Sequence, residues 1–147
     1  MSDAARNIEL VQRLEQAYNQ RDYDTVRACL AGNFVPHTPG SEMVPAGVEG
    51  AIAANEGTFQ GFPNKSTEIL EIFGDGDRVV SHVRMTGTHD GTLPLGGGMP
   101  PTGKAIDVDW IQISRHGNDG MIQETWAQMD LPKMMFQLGA MPAPEGM

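Results

Sequence analysis

The first part of the chain carries its apolar residues at helical spacing. One stripe of residues three or four positions apart runs through the N-terminal segment: Ile8, Val11, Leu14 and Tyr18. It predicts a helix from Ser2 or Asp3 to about residue 20. A second helix is predicted from residues 22–24 to Gly32, and a third over about 47–60, which Gly61 and Pro63 end. The segment 34–37 between them predicts a short extended stretch.

Beyond residue 64 the pattern changes to alternation, which predicts strands. The expected strands cover 65–73, 78–89, 104–115 and 122–129, with turns at 74–77 and 117–120. A Gly- and Pro-rich loop fills 91–103, and Asp130 caps a last helix that ends at Gly139. This order predicts an α+β fold in which helices pack on one face of a curved antiparallel sheet. We expect one domain over 1–147, with a loose tail after about residue 140.

Length and charge narrow the classes of function. A chain of 147 residues fits one domain. Such a domain buries roughly 68–70% of the surface of its unfolded chain, which leaves room for a core and a modest cavity. The net charge of −9 disfavours binding to nucleic acid and to anionic membranes, because both would repel the chain.

The cysteine count and the N-terminal pattern predict a cytoplasmic protein. Cys29 is the only cysteine, so no intrachain disulfide forms, which suits a reducing compartment. Its apolar neighbours favour a buried packing role over a nucleophile. The N-terminus has no basic start followed by an apolar run, and no stretch approaches about 18 apolar residues. We therefore expect neither a signal peptide nor a membrane span.

The last two long strands mix polar side chains with Trp and Ile. The polar residues of this pattern are Asp107, Asp109, Gln112, Glu124 and Gln128. Such a mixture is typical of a strand that lines a ligand pocket. Period-two alternation puts Val108, Trp110 and Gln112 on the pocket face and the two aspartates on the other. A bulge would reverse that assignment and bring one aspartate inside.

Six short segments in a fixed order carry a resemblance to a known family. They are FVPHTPG at 34–40, the Phe-Pro of GFPN at 61–64, GDGDRVVSHVRMTGTHDG at 74–91, PPTGK at 100–104, DGMIQETW at 119–126 and QLG at 137–139. The chain resembles the SnoaL-like polyketide cyclases, of the cone-shaped α+β barrel superfamily that includes ketosteroid isomerase, scytalone dehydratase and nuclear transport factor two. The resemblance implies a cone closed by the N-terminal helices and a homodimer packed through its sheets.

The resemblance also implies a chemistry. Cyclases of this family close a polyketide ring by aldol condensation without metal or organic cofactor, and relatives assist hydroxylation. Their acid/base aspartate lies seven residues after the hairpin glycine, which here is Ala127, and its histidine partner aligns with Gln112. Neither residue takes up a proton near neutral pH. Either another residue is the base, or the reaction differs, or none occurs.

Three hypotheses follow for function. The first is a cofactor-free cyclase or isomerase-like enzyme acting on a hydrophobic, carbonyl-rich small molecule. The second is a module that binds a small apolar ligand, or a polyketide-like compound, without chemistry. The third is a structural dimer with a filled cone.

The remaining expectations concern individual residues. His37 is the expected base, with His89 near the pocket mouth and Gln112 as the third catalytic position. The structural alternative for His37 is a loop histidine bonded to backbone, and that for His89 is to hold the 91–103 loop in place. The expected pocket walls are Trp110, Val108, Ala127, Met129 and Arg84. Arg84 has an alternative role, since it could pair with an acid on the outer face. The four histidines are scattered, so no metal site is expected.

Overall fold

The computed structural model describes residues 3–94 and 97–142. The helices are α1 (Asp3–Gln20), α2 (Tyr23–Cys29), α3 (Gly47–Gly61) and α4 (Leu131–Leu138), with a 3-10 turn at Ser41–Met43. The strands are β1 (Leu30–His37), β2 (Ser66–Asp75), β3 (Arg78–Thr88), β4 (Ala105–His116) and β5 (Ile122–Met129). The predicted α+β class is confirmed, and the four predicted long strands differ from these bounds by at most two residues.

The strands form one sheet with the order β1-β5-β4-β3-β2. Strands β2 to β5 pair antiparallel as expected, but β1 runs parallel to β5, so the sheet is mixed. The sheet curls into a cone that hydrogen bonds do not close, because β1 and β2 are its two edges. Helix α1 crosses β2 and β3, α3 packs on β1, and α4 contacts β4.

The second helix ends earlier than its sequence predicts. Leu30 already has extended backbone angles, and its N–H bonds to the carbonyl of Val26, so α2 ends at Cys29. Gly32, the predicted end of the helix, instead lies inside β1. The reason is tertiary: Leu30 pairs with Ile122 of β5, a contact that local propensity cannot reveal.

Two apolar clusters fill the space between helices and sheet. The first joins α1, α2, β1 and β5 and includes Val11, Leu14, Val26, Cys29, Leu30, Phe34 and Ile122. The second joins the far end of the sheet to α4 and includes Phe62, Met85, Leu93, Ile106, Val108, Met134 and Leu138. Cys29 is fully buried in the first cluster, and burial raises the pKa of its thiol, which fits the packing role.

The two faces of the sheet differ sharply. The inner face, turned toward the helices, carries the buried residues of each strand. The outer face carries ion pairs and several apolar side chains that are 37–55% exposed: Val35, Leu70, Phe73, Ile111 and Ile113. Asp107 and Asp109 lie on this outer face, as the alternation predicts. The expected loose tail falls mostly on residues 143–147, which lie outside the described residues.

Candidate functional site

A cavity of about 230 Å³ lies between α1, β1, α3 and the inner face of β4 and β5. Its walls are mainly apolar: Leu14, Leu30, Phe34, Pro36, Val44, Ala51 and Trp110. Leu14, Leu30 and Phe34 belong to the first apolar cluster, and Trp110 packs against the second, so the cavity separates the two. Pockets for drug-sized ligands measure roughly 300–1,000 Å³, so this cavity suits a smaller molecule or one end of a larger one.

A few polar side chains reach the cavity from separate elements. They include Glu15 and Tyr18 of α1, Asn55 of α3, Lys65 before β2, Gln112 of β4 and Thr125 of β5. Apolar walls with a few convergent polar groups are typical of small-molecule sites.

Glu15 is a half-buried carboxyl at the cavity wall. Its Oε1 lies 2.6 Å from the hydroxyl of Thr67, the buried second residue of β2. Burial raises the pKa of Glu15, although the Thr67 bond and the nearby charge of Lys65 oppose the shift. A carboxyl with a raised pKa is suited to exchange protons nearer neutral pH than an ordinary one.

Lys65 places an ammonium group in the same cavity. Its Nζ donates to Asn55 Oδ1 at 2.6 Å and lies 4.8 Å from the centre of the Phe59 ring. Burial lowers the pKa of Lys65 to about 8, and Glu15 partly offsets this. Asn55 is itself fixed, since its Nδ2 donates to the carbonyl of Tyr18 and to the hydroxyl of Tyr23.

The structure brings two of the sequence-predicted site residues to the cavity, Trp110 and Gln112. Ala127 is buried directly opposite Gln112 in the β4–β5 register, but it does not line the cavity. Val108 belongs to the second apolar cluster and Met129 packs against it, so both lie in packed core.

His37 does not reach the cavity. Phe34 and Pro36 of β1 line it, so strand alternation turns His37 to the outer face. There its Nε2 lies 2.6 Å from Glu124 Oε2, and its ring stacks on Trp126 with centroids 5.4 Å apart. The bond with His37 is the main cause of the lowered pKa of Glu124. The expected base position is therefore corrected to an outer-face pair.

His89 and Arg84 also lie away from the cavity. His89 is fully buried beside Phe62, and its Nδ1 accepts the backbone N–H of Thr102 at 3.2 Å. This contact holds the loop that follows β3 in place, so His89 has the structural role given above as its alternative. Arg84 lies on the outer face and donates to both carboxylate oxygens of Asp107, at 2.8 and 2.7 Å.

The sequence pattern alone did not identify Glu15 and Lys65 as cavity residues, although α1 carries a signal for Glu15. Glu15 is four residues after Val11 and three before Tyr18, so a carboxyl sits within the apolar stripe. Lys65 carries no such signal, because it lies in the short connection between α3 and β2.

Residues 3–94 and 97–142 contain neither a cluster of metal ligands nor a helix that could span a membrane. No three His, Cys, Asp or Glu side chains come together there as a metal site would need. None of the helices in those segments combines the length and the apolar character that crossing a bilayer requires.

Comparisons with known proteins agree with this architecture. The family model of the SnoaL-like polyketide cyclases matches residues 8–138. A candidate SnoaL-like polyketide cyclase from Jannaschia sp. CCS1 is 28% identical, with 97% of each chain covered and a TM-score of 0.79. IdmH, a candidate polyketide cyclase from Streptomyces antibioticus, is 30% identical over 90% of this chain and 98% of its own, with a TM-score of 0.76.

A third structure shares the fold alone. AclR from Streptomyces galilaeus, a candidate hydroxylase, is 22% identical over 97% of this chain and 87% of its own, with a TM-score of 0.79. No curated protein sequence matches this chain.

Proposed function

Because this chain belongs to the SnoaL-like polyketide cyclase family, we propose that its cavity binds a small, largely apolar carbonyl compound and catalyses proton transfer on it without a cofactor. The observation that carries this proposal is the cavity itself. Apolar side chains make most of its wall, and Glu15, Lys65 and Gln112 present polar atoms to whatever it holds. A ring closure would gain from confinement, since holding reacting groups together can save about 7–11 kcal/mol of barrier.

The size of the cavity sharpens the substrate class. At about 230 Å³ it suits one or two rings, or the reacting end of a longer chain that leaves through the mouth. Pro39, an exposed residue of the lining, marks that mouth. We therefore favour aromatic ketones and short polyketide-like chains over fully enclosed steroids.

Ligand binding is tested with a plugged cavity. Ala51 lines the cavity, whereas Ala53 is exposed on the same helix and does not. We expect a bicyclic aromatic ketone such as 2-tetralone to raise the melting temperature of the wild type and of Ala53→Phe, but not of Ala51→Phe. Equal stabilisation of all three proteins would contradict binding in this cavity.

A binding module without chemistry is the second candidate. Ala127 and Gln112, which lie opposite each other in the register, stand at the positions where the family resemblance implies the acid/base pair. Catalysis is distinguished from binding by following deuterium incorporation beside the carbonyl of 2-tetralone in D2O. Stabilisation of the protein without enhanced exchange would favour the binding module. A role in assisting hydroxylation rests on AclR, a likeness of fold alone.

A second copy of the chain is the proposed partner. The outer face exposes Phe73 of β2 and Ile111 and Ile113 of β4, on the two strands that flank β3, and the stacked pair His37 and Trp126 lies beside them. Covering these side chains would remove apolar surface from water. The family resemblance implies a homodimer packed through this face, and we adopt that arrangement as part of the proposal.

A further inference from the structure

An acidic and a basic side chain, Glu15 and Lys65, line the cavity, and they do not form an ion pair with each other. Each is held by a neutral partner instead: Glu15 by the hydroxyl of Thr67 and Lys65 by the amide oxygen of Asn55, both at 2.6 Å. Within residues 3–94 and 97–142, neither takes part in a salt bridge. A charged group held by one neutral partner keeps further hydrogen-bonding capacity for a ligand.

The contacts of Thr67 allow Glu15 to keep a hydrogen bond whether it is protonated or ionised. Asn19 accepts the backbone N–H of Thr67 through Oδ1 and donates to its carbonyl through Nδ2, which fixes the orientation of the amide. Thr67 Oγ1 lies 2.9 Å from that same Oδ1 and 2.6 Å from Glu15 Oε1. One hydroxyl proton cannot serve both oxygens at once.

Two arrangements therefore satisfy this group. With Glu15 ionised, Thr67 donates to its carboxylate. With Glu15 protonated, the carboxylic acid donates to Thr67 Oγ1, and Thr67 turns its proton to Asn19 Oδ1. Oε2 of Glu15 makes no hydrogen bond within the described chain and is not a fully buried atom. Since Glu15 lines the cavity, Oε2 is the carboxyl oxygen left to bond a ligand.

The ammonium group of Lys65 has hydrogen-bond donors that the described chain does not use. An ammonium group has three N–H bonds, and Asn55 accepts one of them. Within the described residues Nζ makes no second hydrogen bond and otherwise lies over the face of the Phe59 ring, which leaves donors for an oxygen inside the cavity. Hydrogen bonds from an ammonium to an oxygen that gains negative charge are among the strongest in a desolvated site.

We propose that Glu15 is the proton carrier of this cavity and that Lys65 binds the substrate oxygen on which negative charge develops. This assignment rests on the proposed function. The Glu15 carboxylate takes a proton from the carbon beside the substrate carbonyl, and the electron pair of that C–H bond becomes part of an enolate. The Lys65 ammonium donates to the enolate oxygen.

The enolate then has two balanced outcomes. Glu15 returns its proton to a carbon, which gives exchange or isomerisation. Alternatively, the enolate carbon attacks a second carbonyl of the same molecule, and the new alkoxide takes up the proton. Neither outcome needs an oxidant, a reductant or a metal. This pair would take the place of the acid/base residues that Ala127 and Gln112 do not supply.

The test uses one probe for each role. Deuterium exchange into 2-tetralone reports proton transfer, and 2-naphthol, whose naphtholate anion resembles the enolate of 2-tetralone, reports oxyanion binding through its absorbance. We expect Glu15→Gln to slow enzyme-catalysed exchange by about 100- to 10,000-fold. It should still bind 2-naphthol, because its amide can replace the bond to Thr67.

Lys65 variants should give a different result. We expect Lys65→Met to weaken naphtholate binding by about 10- to 100-fold and to slow exchange, because it removes a charged donor. Lys65→Arg retains a cation and should restore much of the naphtholate binding. Glu9→Gln, on the exposed side of α1, and Lys133→Met, in α4, are the matched controls and should behave as the wild type.

The outcomes separate this assignment from the proposed function. If the wild type binds 2-naphthol and exchanges 2-tetralone while Glu15→Gln and Lys65→Met do both equally well, the assignment is overturned and the ligand cavity stands. If the wild type neither binds 2-naphthol nor exchanges 2-tetralone, both proposals fall. Should Glu15→Gln not fold, Glu15→Asp withdraws the carboxyl by one methylene and is expected to slow exchange.

Discussion

Glu15 ties the chemistry of the cavity to the stability of the fold. Its side chain shares the cavity wall with Tyr18 and Lys65, and it is held by Thr67 from β2. Burial raises its pKa because water solvates the carboxylate less well there than in the unfolded chain. The same environment that suits Glu15 for proton transfer therefore means that its ionised form destabilises the folded state.

The stability of the protein should depend on pH through this residue. Below the ordinary pKa of 4.5, Glu15 is protonated in both folded and unfolded chains. As the pH rises from 4.5 to the raised pKa, the unfolded chain is ionised while the folded one still holds the proton, so the folded state loses about 1.4 kcal/mol for each pH unit between the two pKa values. Urea unfolding of the wild type and Glu15→Gln from mildly acidic to mildly basic pH should show the variant gaining relative stability as pH rises.

Glu9→Gln provides the control, because it removes a negative charge from the exposed side of the same helix. A Glu15→Gln difference that stayed constant over this pH range would contradict a raised pKa in the folded protein. It would also weaken the case for Glu15 as a proton carrier.

Strand alternation is the most informative signal at the residue scale. It placed Trp110 and Gln112 on the inner face and Asp107 on the outer face, as the structure has them. The same rule applied from Phe34 would have turned His37 outward. The inward role given to His37 came from its chemistry and from family resemblance, and neither determines the direction of a side chain.

Among the elements, the ones the sequence predicts best are those that local signals define. The β4–β5 hairpin turns at Gly117–Gly120, where Gly120 has a φ of +86°, and Asp130 caps α4 by accepting the backbone N–H of Lys133 at 3.0 Å. Strand β1 is different, because its partner β5 lies about ninety residues further along the chain. No local pattern could reveal that parallel pairing, and Gly32 therefore looked like the end of a helix.

The start of α3 depends on one close backbone approach. A Cβ on Gly50 would lie 1.6 Å from the carbonyl oxygen of Pro45, a backbone atom that cannot turn aside. We expect Gly50→Ala to destabilise the protein by about 1–3 kcal/mol or more, although alanine is the better helix former. Because Gly50 also lines the cavity, 2-tetralone binding should weaken as well.

Gly32→Ala is the matched control for that change. A Cβ at Gly32 meets nothing within 4 Å, so unfolding in urea should show near wild-type stability. If Gly50→Ala unfolded at the wild-type denaturant concentration, the segment before α3 would have to be more adaptable than the structure indicates.

At the scale of the whole molecule, the two faces of the sheet have different roles. The inner face and the helices enclose the cavity, and the outer face exposes apolar side chains between ion pairs such as Arg84 with Asp107 at 2.7 Å. A chain with a net charge of −9 repels its own copies at long range. Any association through this face must therefore come from close apolar contact, which salt should strengthen by screening the repulsion.

The proposed homodimer gives the last prediction. Ile111 is 54% exposed near the middle of the outer face, where a carboxylate would have to be buried in an interface without a prepared partner. We expect light scattering to give the wild type twice the chain mass of 15.9 kDa and Ile111→Glu the mass of one chain. Met43→Glu, at a side chain that is 55% exposed on the 3-10 turn away from the sheet, should remain dimeric. A wild type of single-chain mass, or an Ile111→Glu variant that still pairs, would refute this interface. The cavity lies on the opposite face, so its ligand binding should survive in either case.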